Sequence, residues 1–243
     1  ASVKILGPSR VWAATSHSES YAAADAGAAR KIAEEIGLPE ERYLHITTGE
    51  MDNPDYVKNS KERCYFCKAE LFSGLAQLAA QKNIEVIFDG ANQSDLGDFR
   101  PGERAAKEHQ VRSPLREAEL TKDEIREIAR RHSLSFSEKA ASACLASRIP
   151  YGTPVTAERL RRIERAEAAV RALGFNGFRV RYHDSVARLE MRPEDIGQIL
   201  ENGLREKVVA EIKQAGFAFV TVDLEGYRQG SLNSEIKQET DDG

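Results

Sequence analysis

Apolar positions along the chain recur with two periods, and the switches between them mark out the elements. SRVWAATS, at 9–16, reads as a short buried strand ending in small and hydroxyl residues. From Ser20 to Gly37 the spacing is helical, and Gly37 stands where a C-terminal cap glycine belongs. YLHITTGEM, at 43–51, predicts a second strand. Residues 52–63 are polar and rich in turn formers, and a helix is expected from about Cys67 to Lys82. IEVIFDG, at 84–90, reads as an apolar strand stopped by Asp-Gly, followed by a long loop. Thr121 with Glu124 three residues later makes a capping box that opens another helix.

Strands alternating with helices predict a doubly wound α/β layer with a mostly parallel sheet. Such sheets bind ligands at the carboxyl ends of their strands. The pattern changes near Pro150, where Pro150, Gly152 and Pro154 cluster. Beyond it, 156–173 is an amphipathic, arginine-rich helix, read as an exposed, salt-bridged face or a subunit contact. FRVRYHD and VARLEMR alternate like a hairpin pair. Residues 193–216 are helical with a break near Asn202-Gly203, FAFVTVDLEGYRQG is a last strand, and the tail at 234–243 is polar. The expected division is therefore an α/β domain at 1–149 and a smaller α+β domain at 150–243.

Composition narrows the classes. The 243 residues carry 35 basic and 39 acidic side chains, a net charge of −4, which argues against a nucleic-acid partner. No apolar run reaches the length of a membrane span, and no export signal is visible. Three cysteines are an odd number for a disulfide framework, so a cytoplasmic chain with reduced thiols is expected.

Cys64 and Cys67 form a C-x-x-C in ERCYFCK, just before the expected helix. The pair suits a redox dithiol, two soft ligands to one metal or cluster, or two small buried hydrophobes. Cys144 lies far off, in KAASACLASRIPYGT, among Ala140, Ala141, Ser142, Ala143, Ala146 and Ser147. Small residues let a chain approach a bulky object closely. Three thiolates leave one iron of a 4Fe–4S cluster open to a substrate or sulfide. Zinc held by the three cysteines and His45 or His183 is the rival, and spacing alone does not exclude it. In FDGANQSDLGDFRPG, Asp89 and Asn92 are placed to orient a nucleotide or metal, with Asp95, Asp98 and Arg100 ordering the loop; turn formation explains the same residues. Arg179 and Arg181 alternate, so both guanidinium groups share one strand face and suit a phosphate. Arg148 and Arg228 are candidates to join that patch, and Glu190 is a candidate for pairing or metal contact.

RCYFCKxELF, DGANQSDLGDFRPG, RSPLREAELTKxEIR, KAASACLASRIPYGT, FRVRYHDSVARLE and VTVDLEGYRQGSLN resemble, in order over nearly the whole chain, the LarE family. These are ATP-dependent sulfur transferases of nickel-pincer nucleotide cofactor biosynthesis. The resemblance implies an adenine nucleotide alpha hydrolase-like (PP-loop) fold. It also implies ATP and Mg²⁺ for adenylation of pyridinium-3,5-biscarboxylic acid mononucleotide, and replacement of AMP by sulfur. One class of the family sacrifices a cysteine, whose position corresponds to Ala143 here. The other holds a 4Fe–4S cluster on three cysteines, matching Cys64, Cys67 and Cys144, and draws sulfide from a separate source. Arg179 and Arg181 match residues that grip the substrate phosphate, and Glu190 and Glu167 match acidic positions near phosphate and metal. Homo-oligomers occur in the family. Its phosphate loop, S-G-G-x-D-S, is not found here: VKILGP, at 3–8, resembles the end of the helix that follows that loop, which puts the first strand and the loop upstream of Ala1. Thr15 and Ser16 are then the nucleotide-side candidates. A tRNA thiolase of the same superfamily and a zinc-stapled binding protein are the rival readings.

Overall fold

The structure is a computed structural model describing residues 1–97, 99–138, 143–201 and 203–228. Asp98, Ala140, Ala141, Ser142, Asn202 and the 234–243 tail, named above, lie outside these. The chain forms two compact units, Ala1–Ser142 and Ala143–Gly243. The division falls a few residues before the Pro150 cluster. The turn Leu145–Arg148 belongs with the second unit because Leu145 and Ile149 are buried there and Arg148 pairs with Glu167.

In the first unit, α1 (Ser2–Leu6) ends at Gly7, and β1 (Ala13–His17), α2 (Ala23–Glu35) and β2 (Tyr43–Thr47) form a parallel β–α–β crossover. Ala13 lies opposite Tyr43 and His17 opposite Thr47. The first strand is shorter and later than 9–16, because Pro8–Arg10 turns as a 3₁₀ helix. The second stops at Thr47, short of the expected 51, where Glu50–Asp52 turns instead. A short helix α3 (Pro54–Val57) is capped by the Asn53 side chain, which accepts from the Asp55 amide. Then α4 (Arg63–Gln81) begins four residues before Cys67. Arg63 starts it because its side chain is buried, with Nη1 donating to Asn59 Oδ1 at 2.5 Å, and its amide donates to the Ser60 carbonyl. Both cysteines therefore sit inside α4, Cys64 as its second residue and Cys67 as its fifth.

The 84–90 segment does not form a full strand. It makes one parallel bridge, Phe88 to Arg112, with Asp89 N–H on the Arg112 carbonyl and Arg112 N–H on the Ile87 carbonyl, both 2.9 Å. A strand needs a ladder beside it, and among the described residues no ladder joins this segment to β1. Val86 and Phe88 stay 39% and 42% exposed, beside a groove of about 660 Å³ lined by Trp12, Ala14, Leu44, Leu75, Leu78 and Val86 among others. The loop beyond holds α5 (Gly102–Glu108), and α6 (Pro114–Glu117) and α7 (Lys122–Arg131) follow it. The Thr121–Glu124 capping box at the start of α7 is formed as its spacing predicts.

The second unit holds α8 (Ala157–Ala172), β3 (Arg179–His183), β4 (Val186–Glu190), α9 (Pro193–Gln198), α10 (Leu204–Gln214) and β5 (Phe219–Val222). β3 and β4 are an antiparallel hairpin, Arg179 opposite Glu190 and Arg181 opposite Arg188, and β5 adds parallel to β4. The helices α8 and α10 pack on the sheet and on each other. Leu160, Ile163, Val170, Val180, Leu189 and Ile212 are all within 1% of full burial. Arg161, Arg165 and Arg171 of α8 are exposed, and three of its arginines also reach carbonyls of neighbouring segments. Arg162 and Arg165 donate to the carbonyls of Gly216 and Gln214 at the end of α10, and Arg159 donates to the Pro154 carbonyl and the Tyr182 hydroxyl. Cations at a helix C-terminus meet its unsatisfied carbonyls and the negative end of its dipole.

After β5 the chain folds back, and Tyr227 N–H donates to the Met191 carbonyl at 2.6 Å. Gly226 has φ +72°, and a Cβ there would lie 2.8 Å from the same carbonyl. Gly226→Ala is expected to cost more than about 1–2 kcal/mol, the left-handed penalty alone, as a lowered urea midpoint at unchanged m-value. A midpoint equal to wild type would show that the turn relaxes freely.

Candidate functional site

The carboxyl ends of β1 and β2 lead into a buried polar cluster. Ser18 Oγ donates to Glu50 Oε1 at 2.5 Å, and Ser20 N–H donates to Ser18 Oγ at 3.2 Å. Ser20 and Tyr56 share a hydroxyl–hydroxyl bond of 2.6 Å. Asn59, at φ +56°, connects this cluster to Arg63 and so to the start of α4. Glu50 is 1% exposed, and among the described residues its Oε2 has no hydrogen-bond partner. Tyr21 Oη lies 3.8 Å from Cys67 Sγ. None of Ser18, Ser20, Glu50, Tyr56 and Asn59 was picked from the sequence. A pair of serines just past a strand was the one visible cue; a single glutamate in a polar segment carries no mark of burial.

The nucleotide-side candidates are in less telling places. Thr15 and Ser16 lie within β1, and Thr15 Oγ1 accepts from the Tyr43 hydroxyl at 2.9 Å. Asp89 Oδ1 accepts from Ser113 Oγ at 2.6 Å and from the Ala91 amide. Asn92 and Asp95 form a capping box, and Arg100 pairs with Asp95 at 2.8 Å. These bonds shape the loop locally, in the manner of turn formers.

Cys64 and Cys67 are in no disulfide, are partly exposed, and lie three residues apart on one face of the helix. Cys144 is also free and partly exposed, but belongs to the second unit, at the N-cap of Leu145–Arg148. Soft thiolates suit iron–sulfur and zinc alike, so the donor set fits either group. Within either unit, no three described His, Cys, Asp or Glu side chains gather around one point. His45 is exposed and stacks edge-on against Tyr43, and His183 ends β3.

The second unit carries a buried frame of opposite charges. Arg148 makes a two-pronged pair with Glu167, at 2.8 and 3.0 Å, with side chains 5% and 4% exposed. Glu167 Oε1 also accepts the Val180 amide at 3.1 Å. Arg181 pairs with Glu190 at 2.7 Å, 8% and 1% exposed, and donates to the Ser147 carbonyl. Arg188 bridges Glu190 and Asp223. Arg179 lies against the Tyr227 ring, 5.0 Å from its centroid, and burial, then the nearby Arg148, push its pKa down. Among the described residues the frame gathers four guanidinium groups, Arg148, Arg179, Arg181 and Arg188, around Glu167, Glu190 and Asp223, and guanidinium forks suit an anion. Arg179 and Arg181 thus share a face, as their alternation predicts. Arg228 is apart from this frame: its guanidinium pairs with the exposed Glu225 at 2.5 Å.

The chain thus holds an α/β unit with a thiol pair near a helix start, and a second unit with a buried arginine frame and a further thiol. No protein-family model matches the chain. A Synechocystis protein of uncharacterised role is 43% identical over 205 residues, covering 84% of this chain and 75% of that protein. The pyridinium-3,5-bisthiocarboxylic acid mononucleotide synthase of Lactiplantibacillus plantarum is 33% identical over 233 residues, 96% of this chain and 82% of the synthase. An uncharacterised Methanocaldococcus jannaschii protein is 33% identical over 172 residues, 71% of this chain and 66% of that protein. The chain belongs to the LarE family, that of the pyridinium-3,5-bisthiocarboxylic acid mononucleotide synthase. No described helix is long and apolar enough to cross a membrane.

Proposed function

We propose that this chain is an ATP-dependent sulfur transferase that converts the carboxylates of pyridinium-3,5-biscarboxylic acid mononucleotide to thiocarboxylates for the nickel-pincer cofactor. The observation that carries the reading is the buried arginine frame of β3 and β4 in a chain 33% identical to the synthase over 96% of its length. The substrate's phosphate meets Arg179 and Arg181. Their neighbours keep both side chains from swinging: Glu190 and the Ser147 carbonyl hold Arg181, and Tyr227 backs Arg179. Anchoring a remote phosphate places the carboxylate for reaction.

Adenylation joins a carboxylate oxygen to the α-phosphorus of ATP, with Mg²⁺, and expels pyrophosphate. A sulfide then bonds to the carboxyl carbon, and AMP leaves with the carbon–oxygen electron pair. Cys64, Cys67 and Cys144 would hold a 4Fe–4S cluster, which when bound supplies sulfide as the nucleophile. Ala143 stands where a sacrificial cysteine would be, which favours a recycled sulfur source. The nucleotide lies at the carboxyl ends of the first unit's strands, in a PP-loop fold. Glu167 and Glu190 act here as partners of arginines, keeping the frame charged and fixed. The protein acts in the cytoplasm, as a homo-oligomer, on a small nucleotide rather than RNA.

The test is anaerobic purification, iron and sulfide analysis, and an assay for thiocarboxylate and AMP with ATP and the mononucleotide. Iron, acid-labile sulfide and ATP-dependent thiocarboxylate are expected. Colourless protein holding zinc, with no product, would overturn the proposal.

A further inference from the structure

Arg148 was grouped above with the phosphate-binding candidates, and its surroundings give it a different task. Its guanidinium is a rigid plane with donors on two edges. Nε and Nη2 face Glu167, and Nη1 faces the Ala143 carbonyl at 2.7 Å, the Cys144 carbonyl at 2.9 Å and Ser147 Oγ at 3.0 Å. Ser147 Oγ donates in turn to the Cys144 carbonyl at 2.7 Å. Glu167 is fixed to β3 through the Val180 amide, so the whole arrangement is tied to the sheet.

The two pinned carbonyls have a geometric consequence. A peptide unit is planar. The carbonyl of residue 143 orients the plane before the Cys144 Cα, and the carbonyl of residue 144 orients the plane after it. Holding both leaves the backbone at Cys144 little rotational freedom, and the Cα–Cβ bond then points one way. Downstream, Leu145, Ala146 and Ile149 are buried, so the segment is anchored on that side as well. Cys144 itself stays partly exposed, a presented thiol on a clamped backbone.

We infer that Arg148 is a positioning residue for Cys144: anchored by Glu167, it fixes the two peptide planes flanking the cysteine and so aims its thiol. The role rests on the reading that Cys144 serves sulfur transfer. A lysine keeps the charge but presents one ammonium, which cannot serve the carboxylate and both carbonyls together. Arg148→Lys is therefore the discriminating variant.

Two readouts test this in the full-length protein. In hydrogen exchange, the 143–149 peptide, which includes the Ser147 and Ile149 amides, is expected to exchange about tenfold faster or more in Arg148→Lys, the scale of a lost charge-assisted bond. Peptides from α4 and α10 should not change. In the sulfur-transfer assay, kcat is expected to fall while KM for the mononucleotide stays at the wild-type value. A raised KM with unchanged exchange would overturn the inference and return Arg148 to the substrate. Acceleration of α10 along with 143–149 would also overturn it, reducing the residue to general fold support. Should Arg148→Lys be too unstable, Arg148→Met with Glu167→Gln removes both charges together and gives the same exchange comparison. If Cys144→Ala retains sulfur transfer, the reading beneath the inference fails, while the exchange result still decides whether the clamp exists.

Discussion

Glu190→Leu is expected to destabilise the second unit by roughly 3–5 kcal/mol, the scale of breaking a buried ion pair from one side. Glu190 is 1% exposed and accepts from two guanidinium groups, Arg181 at 2.7 Å and Arg188 at 3.2 Å. Removing it takes from Arg181, 8% exposed, its buried carboxylate partner and leaves it beside Arg179. Arg188 suffers less, since it keeps Asp223 at 3.1 Å and is 40% exposed. The reverse substitution is not equivalent. Arg181→Met leaves Glu190 with Arg188, so its carboxylate keeps a counter-charge. The Arg181→Met loss should be clearly the smaller of the two in urea unfolding followed by circular dichroism. Equal losses would mean that the frame does not depend on Glu190 as its shared counter-ion.

Single substitutions Cys64→Ala, Cys67→Ala and Cys144→Ala are each expected to reduce thiocarboxylate formation to background and to remove bound iron. Stability should hardly change in the same variants. All three thiols are partly exposed and none fills a core site, so truncation opens no cavity. This contrast separates a ligand role from packing. Three small buried hydrophobes would show the opposite result, with lower stability and intact chemistry. Binding of ATP should survive in all three variants, because adenylation precedes the sulfur step. A variant that keeps iron and full turnover would remove that cysteine from the ligand set.

Much of the second unit can be read directly from the chain. The alternation in FRVRYH and VARLEMR gives the hairpin its period, and it also puts Arg179 and Arg181 on one face. Gly203, at φ +72°, stands where the 193–216 helix was expected to break. The first unit is less legible. IEVIFDG has the composition of a buried strand, yet strands are made by their neighbours, and among the described residues one bridge reaches it. The loop after it hid α5, because GERAAKE has no periodic apolar face long enough to announce a helix. The start of α4 was placed late because the residue that sets it, Arg63, is buried through a bond to Asn59 that sequence spacing does not show.

The sequence by itself determined the chemistry available: which thiols exist, which arginines alternate, and which strings resemble a family. Those are properties of residue type and order, and they survive without coordinates. Only the tertiary structure decided how each charge is used. Arg148 and Arg228 are the same side chain a short way along from a candidate site, yet one is buried on Glu167 and two carbonyls and the other pairs with a surface glutamate. Glu50 is one of 39 acidic residues, and it is buried where Ser18, from beyond the end of β1, donates to it. Burial sets the cost of an unpaired charge, and burial is a property of what the fold brings alongside, not of the residue.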